Sequence, residues 1–252
     1  MEISTELSPS RAGKQRFETT LARTETEIIE AQRLRYRVFV EEMGASIPHA
    51  ESGLDRDEFD PFCEHLLVRD SSSGRVVGTY RILTAENAAH TGGFYSQREF
   101  FLDNIAPLAP MTVEIGRACV DADFRSGAVI ATLWAGLAAH ILARRYEYVI
   151  GCGSVPLHDG GRLAASIYYR ARREFLSPTH WRVTPRCPFP LDAAEIDPDP
   201  PLPALLKGYL RLGAYICGEP AWDTEFKTAD MLIMLPMARF NPRYRNRFER
   251  AA

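Results

Sequence analysis

The chain has 252 residues, 46% of them hydrophobic and 25% charged, with a formal net charge of −3. That is the composition of an ordinary folded protein with material for a sizeable core, and so small a net charge gives no electrostatic reason for a nucleic-acid partner. The length accommodates one large domain or two small ones.

Residues 1 to 17 are polar and read as a flexible tail. They lack the charged and apolar regions of a secretory signal, which points to the cytoplasm. Apolar residues at Ile28, Ile29, Leu34, Val38 and Phe39 predict an amphipathic helix over 25–40. A turn-rich acidic stretch follows at 44–62, with Glu51, Asp55, Asp57, Glu58 and Asp60. Two β-rich runs, 65–70 and 75–83, lie either side of Ser71-Ser-Ser-Gly74 and predict a hairpin. Residues 86–110 read as an irregular connection with a short helix near 97–102.

Thr112 to Val120 reads as a buried strand, yet it carries Glu114 and Arg117. Either charge is costly to bury unpaired. In a regular strand, positions three apart face opposite ways. Gly116 lies between them, and a lone glycine in a strand often marks a bulge. A bulge there would turn both charges toward one cleft. The alternative is a buried Glu114–Arg117 ion pair with no chemistry.

A helix is expected over 128–145 and a strand over 146–151, broken by Gly151-Cys-Gly-Ser-Val-Pro156. A second helix is expected over 161–173. A proline-rich crossing runs from Pro178 to Pro203, followed by a helix at 204–212 and strands near 214–217 and 231–235. The apolar run from Ala128 to Ala143 is too short to cross a bilayer, and His140 interrupts it. The order implies a mixed α/β sheet with helices on its faces.

The five cysteines, Cys63, Cys119, Cys152, Cys187 and Cys217, show no C-x-x-C spacing and read as reduced thiols. Cys63-Glu64-His65 is the nearest approach to a metal trio. Adjacent strand positions point to opposite faces, so no metal is expected there.

Arg35-Tyr-Arg-Val-Phe39 with Glu41-Glu-Met-Gly44, then Asp57-Glu-Phe-Asp60, Val77-Gly-Thr-Tyr-Arg81 and Glu114-Ile-Gly-Arg117, resemble in order the motifs of acyl-homoserine lactone synthases. Leu210-Arg-Leu-Gly-Ala214, Cys217-Gly-Glu-Pro-Ala-Trp-Asp223 and Phe226 resemble instead the related ornithine N-alpha-acyltransferases of bacterial ornithine-lipid synthesis. That resemblance covers nearly the whole chain past the tail. It implies the GNAT fold, a mixed, mostly antiparallel twisted sheet with helices on both faces, as one domain over 18–252. It also implies transfer of a 3-hydroxyacyl group from acyl carrier protein to the α-amino group of L-ornithine. No tightly bound cofactor is expected, since the donor is the carrier's acyl-phosphopantetheine.

The resemblance gives Glu114, Arg117 and Arg81 as catalytic residues, with Glu114 the candidate base. It gives Arg35, Phe39, Asp57 and Asp60 to the acceptor, either in direct contact or as an Asp–Arg network. Arg125, Ser126 and Gly127 take the donor's phosphopantetheine at a strand-to-helix junction, where only two positions match the usual CoA loop and the second glycine is missing. Phe100 and Phe101 are read as core rather than acyl pocket. Arg144, Arg145, Arg170, Arg172 and Arg173 offer a surface to an acidic carrier protein. The alternating arginines and aromatics of 239–248 suit an anionic membrane face. The rival readings are a lactone synthase using S-adenosylmethionine, a non-catalytic GNAT module, and a lytic protein. The residues from Leu210 onward speak against the first, retention of Glu114, Arg81 and Arg117 against the second, and the lack of a secretion signal against the third.

Overall fold

The computed structural model describes residues 17–125, 127–191 and 196–242. Phe17, assigned above to the tail, instead opens a strand, and residues 1–16 lie outside the described residues. In chain order the strands and helices are β1 (Phe17–Leu21), α1 (Glu25–Tyr36), β2 (Glu64–Asp70), β3 (Val76–Thr84), α2 (Ala85–Ala88), β4 (Phe100–Phe101), β5 (Thr112–Val120), α3 (Ala128–Ala143), β6 (Tyr148–Pro156), α4 (Arg162–Glu174), β7 (Thr184–Pro185), α5 (Ala204–Leu212), β8 (Tyr215–Ile216), β9 (Ala221–Asp223) and β10 (Thr228–Pro236).

Eight strands form one sheet in the order β1-β2-β3-β5-β6-β10-β8, with β9 also on β10. Every pairing is antiparallel except β5 with β6. β4 and β7 make a separate two-stranded ribbon. This is the mostly antiparallel mixed sheet that was expected.

Local chemistry explains the elements. Thr24 caps α1: its hydroxyl accepts from Glu27 N–H while the Glu27 carboxylate accepts from Thr24 N–H. The helix then runs on as a π-helical turn through Arg37–Glu42. All of β3 is buried, because both faces are covered. Ala31 and Leu34 of α1 pack with Leu67 and Cys119 on one face. Leu133 and Leu137 of α3 pack with Tyr80, Ile82, Val113 and Val149 on the other. α4 and α5 continue that second face over Val155, Met231 and Ile233. Among the described residues no helix is long and apolar enough to cross a membrane, and all five cysteines are free.

The sequence reading broke β6 at Gly151, but the strand runs through to Pro156. The glycine is there for close approach: a Cβ on Gly151 would lie 2.3 Å from the backbone oxygen of Ile115. The short helix expected near 97–102 is a 3₁₀ turn at Tyr95–Arg98 running into β4.

Candidate active site

β5 and β6 pair only from Thr112–Tyr148 to Glu114–Ile150, although β5 continues to Val120 and β6 to Pro156. Past Glu114 the two strands part. A cavity of about 640 Å³ fills the gap. It is lined from one face of the sheet by Ile130 and Trp134 of α3 and Leu205, Leu206 and Tyr209 of α5, and from the other by Arg81, Tyr95, Glu99, Glu114 and Arg117. It therefore runs through the sheet, with an apolar end and a charged end, and the unpaired edge of β5 forms one wall.

The expected bulge is present, with a correction. Between the pairs Thr79–Cys119 and Arg81–Gly116, β5 spends one residue more than β3. The strained residue is Arg117, at φ 49°, not Gly116. A non-glycine residue there costs about 1–2 kcal/mol, which the contacts of its side chain offset. The bulge swings Arg117 to the face that carries Glu114 and Arg81, and all three line the cavity.

Arg117 does not pair with Glu114. Its Nη2 lies 3.1 Å from Asp57 and its Nε 3.3 Å from Asp55, and its guanidinium sits 4.8 Å from the Tyr95 ring centre and 4.5 Å from that of Phe226. Arg81 reaches Asp57 at 2.6 Å and Asp60 at 3.3 Å. Arg35 reaches Asp60 at 2.8 Å and Asp55 at 3.1 Å. Three arginines thus face three aspartates. Burial pushes the Asp57 and Asp60 carboxyls up, but the arginines outweigh it and hold both below the usual range.

Arg35, Asp57 and Asp60 are not among the residues that line the cavity, and their side chains form an Asp–Arg network. Arg35 is 0% exposed. The three brace Arg81 and Arg117 from behind. Phe39 does line the cavity and packs edge-on against Phe226.

Glu114 is buried and held by three donors: Tyr95 N–H at 2.5 Å, Ser96 N–H at 2.9 Å and the Ser96 hydroxyl. A carboxylate has about four lone-pair sites, so one remains. Burial raises the Glu114 pKa, although these donors and Arg81 favour the charged form.

The sequence reading missed a second set of charges. Cys152 and Ser154 on β6, Asp230 on β10 and Asp223 on β9 share the sheet face of Glu114 by the ladder register, and Glu99 comes in from the residue before β4. All five line the cavity. Cys152 Sγ is 3.5 Å from Glu99 Oε2 and 3.9 Å from Ser96 Oγ, so this cluster is joined to Glu114 through Ser96. Ligand atoms of Glu99, Cys152 and Asp230 lie within 4.8 Å of one another, which makes them the one trio of the described residues able to close on a cation. Burial, then neighbouring carboxylates, pushes Glu99 well above the usual range and Asp230 up as well. A signal was available: Asp230 is a lone carboxylate opening an apolar strand, as Glu114 is in β5.

At the junction expected to take the donor, Gly127 (φ 89°) precedes the first turn of α3 and, with Arg125, lines the cavity. Arg125 is held bidentately by Glu42. Ser126 lies outside the described residues. Phe100 is core, as expected; Phe101 is not, being 46% exposed beneath the Arg186 guanidinium. The Cys63-Glu64-His65 run disperses: Glu64 pairs with Arg144, and His65 meets the backbone oxygen of Asp60.

Residues 34–135 match the family model described as the acetyltransferase (GNAT) domain. The chain is 38% identical to the L-ornithine N(alpha)-acyltransferase of Rhizobium meliloti, covering 91% of this chain and 83% of that protein. It is 34% identical to the one from Rhodobacter capsulatus, covering 93% and 95%. Among solved structures it is similar to the N-acyl amino acid synthase FeeM from uncultured soil microbes, with TM-score 0.54, 12% identity and coverage of 90% and 93%. It is also similar to the acyl-homoserine lactone synthase LasI, with TM-score 0.51, 12% identity and coverage of 91% and 96%. At such identities the structures speak to the fold alone, and that fold is GNAT, as the motifs implied.

Proposed function

The chain belongs to the L-ornithine N(alpha)-acyltransferase family, and from that premise we propose that it moves a 3-hydroxyacyl group from acyl carrier protein to the α-amino group of L-ornithine, giving lyso-ornithine lipid. The observation that carries this reading is the cavity through the sheet where β5 and β6 part. A thioester in that gap meets an apolar end for its chain, between α3 and α5, and a charged end for an amino acid.

In the proposed mechanism the donor's phosphodiester sits at the first turn of α3, where free N–H groups and the helix dipole favour an anion, beside Arg125 and Gly127. The pantetheine amides use the free edge of β5. The acceptor's carboxylate faces Arg117 and Arg81, whose planar guanidinium groups suit it. Its α-ammonium gives a proton to the open lone pair of Glu114, and burial has raised that group's proton affinity as a base requires. The amine nitrogen then attacks the thioester carbon, the C–S bond breaks, and the carrier thiol leaves with a proton as the amide forms. Backbone N–H groups beside the bulge steady the developing oxyanion.

We read residues 18–252 as one domain. The carrier protein docks against exposed Arg145, Arg172 and Arg173 in this reading; Arg144 and Arg170 are engaged by Glu64 and Asp199. Peripheral contact with an anionic membrane rests on the sequence of 239–248, of which 243–248 lie outside the described residues. The test supplies purified protein with 3-hydroxyacyl carrier protein or acyl-CoA and a panel of amino acids, and seeks N-acyl product by mass spectrometry. N-acylornithine formed from the carrier-bound donor is the expected result. No product from any amino acid, with turnover of S-adenosylmethionine instead, would overturn it.

A further inference from the structure

We propose that Glu99, Asp223 and Asp230 form a subsite that grips the terminal ammonium of the acceptor amino acid and so selects a diamino acid over its uncharged analogues. The inference rests on the function proposed above and names what sets its acceptor specificity.

The cluster differs from an ordinary acidic patch in three ways. First, it is enclosed. Asp230 is 4% exposed, and Glu99 Oε1 is shut off from solvent with no hydrogen-bond partner. A buried carboxylate oxygen left unpaired is costly, and Glu99, Asp223 and Asp230 all line the cavity of about 640 Å³. Second, it is uncompensated. The principal influences on the ionisation of Glu99 are burial, Asp230, Asp223 and the Cys152 thiol, with no arginine or lysine among them. The aspartates around Arg35, Arg81 and Arg117 have a full complement of cations; among the described residues no arginine or lysine stands among the principal influences on Glu99 or Asp230. Third, it is built into the ladder: Asp230 opposite Ser154, Asp223 opposite Thr228. The Thr228 hydroxyl donates to Asp230 Oδ1 at 2.6 Å and fixes the carboxylate's orientation.

Placement sets the kind of cation. The cluster is joined to Glu114 through Ser96 and Cys152. An α-amine at Glu114 and a terminal amine on a three-carbon side chain lie about 6 Å apart when extended, a span of the same order as that relay. A hard metal ion is a poorer match. The Cys152 thiol is driven well above its ordinary pKa by burial and by Glu99, and a metal needs the thiolate. An ammonium needs only acceptors, and the Asp223 and Asp230 carboxylates, the Glu99 carboxyl oxygen and the Ser154 hydroxyl supply them.

The test measures kcat/KM of the full chain for L-ornithine and for L-norvaline, which has the same carbon skeleton without the terminal amine. Their ratio is read within each preparation, so a loss of folded protein cancels. The wild-type ratio should favour ornithine at least about tenfold, and Asp230→Asn and Glu99→Gln should each cut it at least about tenfold, chiefly through KM for ornithine. A wild-type protein that uses both equally, or variants whose two activities fall in parallel, would overturn the subsite and leave the proposed function standing. A ratio that collapses in chelator and returns with zinc would assign the cluster to a metal and overturn it too. The wild-type comparison needs no variant, so it decides even if both substitutions fail to fold. Wild-type protein that acylates no amino acid at all would overturn the proposed function and this inference with it.

Discussion

Two groups of buried and half-buried charge flank one cavity, and they are built on opposite plans. On one side Arg35, Arg81 and Arg117 interlock with Asp55, Asp57 and Asp60, every charge matched. On the other, Glu99, Asp223 and Asp230 stand together without a cation among the principal influences on Glu99 and Asp230 that the described residues supply. The matched network spends its electrostatics internally, bracing two arginines whose edges reach the cavity. The unmatched cluster is the one to which the proposed subsite assigns a cationic ligand. The two groups differ in their balance: Arg81 and Arg117 are held in place by paired aspartates and still line the cavity, whereas the acidic cluster lines it without such pairing among the described residues.

The sharpest way to break this comparison is to remove one charge from each side. Arg35→Met leaves the buried Asp55 and Asp60 short of a partner, and should cost about 3–5 kcal/mol of unfolding free energy. Asp230→Asn relieves repulsion and should leave stability within about 1 kcal/mol of the wild type, or raise it. Urea unfolding of the two variants checks this; equal losses would erase the distinction. The pH dependence has opposite signs on the two sides. Asp57 and Asp60 are held low, so their contribution is present above the unfolded carboxylate range and is lost as pH falls. Asp230 is pushed by burial, and by Asp223, up to about 6. It therefore favours folding most at low pH and loses that contribution as pH rises from about 4 through 6. Asp230→Asn should flatten that part of the stability curve only.

A smaller loss of stability, with a larger loss of activity, is expected at the boundary between the two regions. Glu114 accepts from Tyr95 and Ser96 and also faces the cavity. Glu114→Gln puts an amide among donors and should cost about 1–3 kcal/mol of stability. Acylation by the remaining folded protein should fall about a hundredfold or more, as for a lost general base. Near-normal turnover would leave Glu114 with the Tyr95–Ser96 turn as its sole duty.

Which parts were legible in the sequence follows from the same physics. β5 announced itself because a carboxylate and an arginine in a β-branched strand demand an explanation, and the glycine between them pointed to a bulge. That the bulge strains Arg117 rather than Gly116 depends on pairing with β3, which no local pattern encodes. Arg35 and Asp60 were recognisable as a motif, with direct contact and an Asp–Arg network left as alternatives, since only the folded chain shows which charges face the cavity. The acidic cluster comes from four separate elements and is assembled by the register of β6, β9 and β10 together with the loop before β4. β6 itself was cut short because glycine normally weakens a strand, whereas here Gly151 admits the backbone of Ile115. Gly151→Ala should force β5 and β6 apart where they begin to diverge, costing about 1–3 kcal/mol as other overpacked sites do, with a measurable drop in the thermal midpoint.

The smallest effect on stability is expected at the donor end, and it sharpens the comparison by adding a third kind of charge. Arg125 and Glu42 form a pair about half exposed to solvent, at 45% and 40% of their side-chain surface. Screened by water, such a pair contributes below about 1 kcal/mol, so Arg125→Ala should scarcely move the unfolding midpoint. Its consequence should appear in binding instead. If the donor's phosphodiester sits at the first turn of α3, Arg125 must loosen from Glu42 to meet it, and the pair then acts as a weak latch rather than a brace. Removing the arginine should raise KM for the acyl carrier donor several-fold while leaving KM for ornithine unchanged, and the effect should shrink at high salt. Glu42→Gln should act the other way and lower the donor's KM, because it frees Arg125 at little structural cost. If both substitutions raise the donor's KM alike, the pair serves the architecture of the loop and the donor's anion is held by the backbone of α3 alone.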